Sequence, residues 1–241
     1  MVRDLAHSRP HKVSDKVPRD AIKQFEARVR KNIESITSLP RRDYEPIIHC
    51  GDARELPVAD SSVDLVVTSP PYANAIDYMR AHKFSLVWLG DKIEDLATLR
   101  STYIGSERTS GTSNELLPLR AEQIISRLAA LDAAKSRVLR KYYADMHVAI
   151  SQMFRVLRPN RAVIIVVGSS TMRGIDVETH LCLAELAQAV GFDIVGVVER
   201  KIDRDKRMMP ARFGAKGTSG IEERMHHEYV IAGIKPCRRK Y

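Results

Sequence analysis

A chain of 241 residues with 44% apolar content can bury one substantial core, and its length favours one domain with decorations over two. The formal charge of +9 points towards a polyanionic partner. The three cysteines, Cys50, Cys182 and Cys237, show no CxxC spacing and support neither a disulfide framework nor a zinc ribbon, which makes the reduced cytoplasm the expected compartment. The longest apolar run, AVIIVV at 162–167, is too short to span a bilayer, so no membrane partner is expected.

Residues 1–20 mix charge, serine and proline and read as a flexible arm. From Ala21 the steps of three and four between Ile22, Phe25, Val29, Ile33 and Ile36 predict a helix ending near Pro40. Its other face carries Lys23, Arg28, Arg30 and Lys31, so 21–40 suits a docking helix. Two strands follow, IIHC at 47–50 and VDLVVTS at 63–69, the second apolar enough for burial on both faces of a parallel sheet. Residues 89–141 then interrupt with a Ser/Thr/Gly-rich loop and a helix from Leu119 to about Tyr142. They are expected as an insertion above the sheet's carboxyl edge, where α/β proteins bind ligands. Helical spacing returns over 145–157 and 177–190, and strand patterns return over 161–168, 193–202 and 228–235. This alternation predicts an α/β sheet with right-handed crossovers.

The chemistry centres on TSPPY, at the end of the second strand. Pro70 and Pro71 fix φ and remove two N–H donors, and Pro70 biases Ser69 away from helix. The strand therefore ends in a stiff corner presenting the Ser69 hydroxyl and backbone carbonyls, with no competing donors. Such a corner can hold an exocyclic NH2 while Tyr72 stacks on the ring that bears it. Hydrogen bonds to both N–H groups favour the pyramidal nitrogen that attacks a methyl sulfonium, and they are stronger in the transition state than in the ground state. A base inside a duplex must first flip out, at a cost of a few kcal/mol, which stacking worth about 1–3 kcal/mol per base offsets. The plainer alternative is a turn that merely ends a strand.

IIHCGDARELPVADSSVDLVVTSPPY, followed by FRVLRPNRAVIIVVG, resembles the DNA amino-methyltransferases, which use S-adenosylmethionine to modify cytosine N4 or adenine N6. The likeness runs from about Ile47 to Ile234. SPPY is its most specific motif, and the GDA lead-in and VLRPN turn are shared with many class I methyltransferases. The resemblance implies an α/β fold with a class I methyltransferase (Rossmann-like) sheet and a helical insertion. It implies that Ser69, Pro70, Pro71 and Tyr72 form the catalytic loop, and that DNA is the partner. Relatives with Ser at the first loop position usually act on cytosine N4, so Ser69 favours that product. Adenine N6 in DNA or RNA, or a non-catalytic nucleic-acid-binding role, stays open. Asp52 and Ala53 lie where the family places the cofactor's adenine, although Asp52 equally suits a turn cap. Asn160 stands where relatives often have Gly and is expected in a left-handed turn. Arg204, Lys206, Arg207, Arg212 and Lys216, between the last two strands, are candidates for phosphate contacts. Arg173 could face the site or solvate a loop, and Trp88 is expected to pack inside. His226 and His227 lack a third ligand at metal spacing.

The family's glycine-rich loop after strand 1 and its acidic residue after strand 2 are missing from the chain. In the family's sheet order, 3-2-1-4-5-7-6, those strands lie between IIHC and VDLVVTS, so the sheet is expected to be incomplete in this chain, with an unpaired edge on the second strand. Three repairs are open: a partner protein supplying the glycine-rich motif in a hetero-oligomer, a longer natural chain, or self-filling by the N-terminal segment without catalysis. The amphipathic helix favours the first.

Overall fold

Two units make up the chain, Met1–Cys50 and Gly51–Tyr241, in a computed structural model that describes residues 20–37, 44–73, 78–106, 116–168, 170–203 and 227–237. In the first unit α1 (Ala21–Thr37) forms where the apolar spacing predicts it. Asp20 Oδ1 caps its start, accepting from the Ile22 and Lys23 amides at 3.0 and 3.2 Å. Ile22, Phe25, Ile33 and Ile36 are all exposed, and among the described residues no side chain of α1 is buried. IIHC forms no strand, with Ile47 83% and Ile48 88% exposed. A strand is stable only beside a neighbour that takes its backbone hydrogen bonds, and none is aligned with it among the described residues.

The second unit holds β1 (Val63–Thr68), α2 (Tyr78–Trp88), α3 (Ile93–Thr102), α4 (Leu119–Leu131), α5 (Ala133–Val156) and β2 (Leu157–Gly168). A short hairpin, β3 (Thr171–Met172) and β4 (Ile175–Asp176), leads into α6 (Thr179–Val190), followed by β5 (Asp193–Lys201) and β6 (His227–Ile234). The main sheet runs β1-β2-β6-β5. β1 and β2 are parallel, and β6 is antiparallel to both β2 and β5. That is the 4-5-7-6 half of the class I methyltransferase sheet, including its reversed seventh strand. The fold is therefore mixed α/β with a partial sheet.

The core lies between one face of this sheet and the helices α4, α5 and α6. Val163, Ile165 and Val167 of β2 and Ile231 of β6 point into it and meet Leu183, Leu186, Met146 and Ile150. The register puts Val66 beside Val163 on this covered face, and Leu65 and Val67 beside Ala162 and Ile164 on the other. Leu65 is 54% and Val67 65% exposed, and Val195 and Val198 of β5 are also exposed on that second face. Among the described residues β1 is thus covered on one face only, contrary to what its continuous apolar run predicts.

Two boundaries also depart from the sequence pattern. The helix expected over 119–142 breaks at Asp132, whose Oδ1 accepts from the Ala134 and Lys135 amides at 3.0 Å each and so starts α5. β2 begins at Leu157, four residues before the expected start at Arg161, and its pairing with β1 shifts register between Val63 and Leu65. Asn160 lies in this shifted stretch at φ +60°, the left-handed turn its sequence context predicts. Lys235, just past β6, donates to the Phe154 and Leu157 carbonyls at 2.7 and 2.6 Å and closes the end of α5.

Candidate active site

TSPPY leaves β1 at the carboxyl end of the sheet, the edge to which β2 also delivers Gly168 and Ser170. Pro70 and Ala73 are buried, Pro71 and Tyr72 are half-buried, and Ser69 is exposed. The prolines and Ala73 anchor the corner while the Ser69 side chain stays accessible, as a loop that presents an acceptor to an incoming amine requires. Tyr72 packs against the edge of the core, as does Ile104.

A second turn supports this corner from below. Gly105 adopts φ +80°, a left-handed conformation that favours glycine, and a Cβ built on it would stand 3.8 Å from the Pro71 Cβ, the Tyr142 ring and the Tyr72 carbonyl oxygen. The end of α3, the Tyr103–Ser106 turn, the fully buried Tyr142 of α5 and the proline corner therefore pack as one layer. Neither Gly105 nor Tyr142 stood out in the sequence. The only signals were a glycine inside the Ser/Thr-rich loop and an aromatic on the apolar stripe of a long helix.

Asp52 and Ala53 form an exposed turn ahead of β1. Asp52 Oδ1 accepts from the Arg54 amide at 2.8 Å, and the Arg54 guanidinium grips both carboxylate oxygens, Nε to Oδ1 at 3.0 Å and Nη2 to Oδ2 at 2.6 Å. Hydrogen bonding from Arg54 holds the Asp52 carboxyl below the ordinary aspartate range, and the same contact raises the Arg54 guanidinium further above its already high value. A carboxylate offers about four acceptor sites, and Arg54 alone makes four contacts to them, because its Nε also reaches Oδ2 at 3.2 Å. Arg155 pins the far end of the same loop through the Leu56 and Val58 carbonyls, at 2.8 Å each, and Asp60.

Arg173 turns the β3–β4 hairpin at φ +50° and pairs with Asp132 at 2.7 Å, tying the hairpin to the α4–α5 junction. Trp88 is 91% exposed at the end of α2, against the expectation that it packs inside. His227 pairs with Glu199 at 3.1 Å, and among the described residues no cluster could hold a metal ion. Arg204, Lys206, Arg207, Arg212 and Lys216 lie outside the described residues.

The type II methyltransferase M.AvaI of Nostoc sp. is 27% identical over 149 residues, covering 54% of this chain and 31% of its own length. The type II methyltransferase M.MvaI of Kocuria varians is 25% identical over 160 residues, covering 62% of this chain and 35% of its own. Over this region the chain is similar to type II methyltransferases. It spans about a third of the length of these curated relatives. No family model matches the chain. Among solved structures, a Thermus thermophilus protein described as a DNA modification methylase, complexed with S-adenosyl-L-methionine, is 18% identical with a TM-score of 0.39. The match covers 79% of this chain and 54% of that one, and the superposition is too loose to transfer geometry.

Among the described residues no helix is long and apolar enough to cross a membrane.

Proposed function

We propose that this chain is the catalytic-loop half of a DNA amino-methyltransferase, moving a methyl group from S-adenosylmethionine to an exocyclic base amine. Cytosine N4 is the favoured acceptor. The observation that carries the proposal is the proline corner: a donor-free turn with an accessible Ser69 hydroxyl, set at the carboxyl end of β1 in a sheet of class I order. The Ser69 hydroxyl and the Pro70 carbonyl orient the amine, and the Tyr72 ring holds the flipped base. Attack of the amine lone pair on the sulfonium methyl forms the N–C bond, breaks the S–C bond and leaves S-adenosylhomocysteine. The nitrogen then loses a proton to solvent, so no strong protein base is required.

The cofactor fits this chain only in part. Asp52 can accept from the adenine amine only by giving up part of its Arg54 fork, and Ala53 beside it adds no bulk. The glycine loop for the methionine end and the carboxylate for the ribose come, in this proposal, from a partner polypeptide. β1 offers the place for it, since among the described residues it pairs with β2 alone and leaves its other backbone edge and an apolar face open. The test is transfer of labelled methyl groups to DNA by the chain together with its partner, followed by digestion to nucleosides and mass identification. N4-methyldeoxycytidine is expected. N6-methyldeoxyadenosine would overturn the assignment of the acceptor, and no labelled nucleoside would overturn the proposed activity.

A further inference from the structure

We propose that Arg54 is a positioning residue that transmits the placement of the Asp52 turn to the proline corner. Its guanidinium lies where three segments distant in sequence meet. It holds Asp52 in its own turn, donates through Nη1 to Asp145 Oδ1 of α5 at 2.9 Å, and donates through Nη2 to the Thr102 carbonyl at the end of α3 at 2.7 Å. On α5 the contact continues towards the apolar layer, because Asp145 also pairs with Lys141, one residue before Tyr142. Thr102 is three residues before Gly105, whose backbone lies against Pro71 and Tyr72. One side chain therefore joins the turn proposed to meet the cofactor's adenine to both supports of the corner proposed to hold the base.

The chemistry of the site makes such a link useful. Methyl transfer needs the sulfonium carbon and the attacking nitrogen in line, and a misplacement of about 1 Å costs roughly a hundredfold in rate. Arginine suits the task because its planar fork satisfies two carboxylates and a carbonyl at once, whereas a lysine ammonium is a point charge that cannot match this geometry. The Arg54 and Asp145 side chains are only 24% and 14% exposed, so that arm of the link is shielded from solvent more than a surface pair would be, while the Asp52 arm is more open.

The role rests on reading TSPPY as the catalytic loop, and its first test does not depend on that reading. Hydrogen exchange is compared in the isolated full chain for wild type, Arg54→Ala, Arg54→Lys and Arg155→Ala. Arg54→Ala is expected to speed exchange roughly tenfold at the amides of Tyr72, Ala73, Gly105 and Ser106 as well as in its own turn, with Arg54→Lys between it and wild type. Arg155→Ala is expected to loosen 56–62 and leave those four amides unchanged. Faster exchange confined to 51–56 in Arg54→Ala overturns the proposal. Should Arg54→Ala unfold the chain, Arg54→Lys decides: it overturns the proposal if it matches wild type at all four amides. In the enzyme assembled with its partner, Arg54→Ala is expected to lower kcat at least tenfold with KM for DNA within twofold and partial rescue by lysine. A change in KM alone contradicts the proposal.

Discussion

Replacing Tyr72 by Ala, or Ser69 by Ala, is expected to lower methyl transfer by the assembled enzyme about a hundredfold, while Tyr72→Phe stays within a few-fold of wild type. In the proposed mechanism the Tyr72 ring would supply stacking worth about 1–3 kcal/mol per base, which is the range needed to hold a flipped nucleotide against its return to the duplex. Phe keeps that ring and Ala removes it. Ser69 acts differently in the proposed mechanism, where its hydroxyl meets charge and geometry that develop only as the amine pyramidalises. Removing one such transition-state contact costs about 10²–10³ in kcat. The two variants also differ in what they do to the fold. Ser69 is exposed, so its truncation should change stability by no more than about 0.5 kcal/mol. Tyr72 packs against the core edge, so Tyr72→Ala should also lower the melting temperature measurably. Activity is measured beside thermal melting, and a Ser69→Ala enzyme of undiminished activity would remove Ser69 from the mechanism.

Val67→Arg should separate folding from assembly. Val67 is 65% exposed on the uncovered face of β1, so a long charged side chain there can reach water and should leave the melting temperature of the isolated chain within about 2 °C. If a partner completes the sheet beside β1, the same arginine is buried at a strand interface without a counter-ion, at a cost of several kcal/mol. Association and methylation are then both expected to fall below detection. A Val66→Arg control on the covered face should instead unfold the chain, since its register partner is Val163 in the core. Sedimentation of the chain with its partner, read with methyl transfer, checks both outcomes. Unchanged association of Val67→Arg would mean that β1 is not the site of assembly.

The parts of the fold legible in the sequence are those fixed by local pattern. β1, β2, β5 and β6 carry apolar runs flanked by polar turns, and each forms within a few residues of its expected place. The first helix and α6 likewise follow their stripes of three and four. What could not be read depends on contacts that sequence spacing does not encode. IIHC has the composition of a strand, but a strand is made by its neighbour. The Asp132 break looks like one more polar position on a long helix until its carboxylate is seen to cap two amides of the next helix. Trp88 has the composition of a core residue and lies exposed, because burial on a helix depends on what packs beside it. At the site, the proline corner is readable because proline acts through its own backbone. The Arg54 link is not, since Thr102 and Asp145 lie 48 and 91 residues away along the chain.

The central claim is that half a sheet cannot grip the sulfonium donor unaided and that a partner supplies the rest. Isothermal titration of S-adenosylmethionine into the isolated, monomeric chain tests it most directly. The account predicts no measurable heat of binding from the chain alone, and binding at one site per pair once the partner is added. Tight one-to-one binding to the lone chain would contradict it.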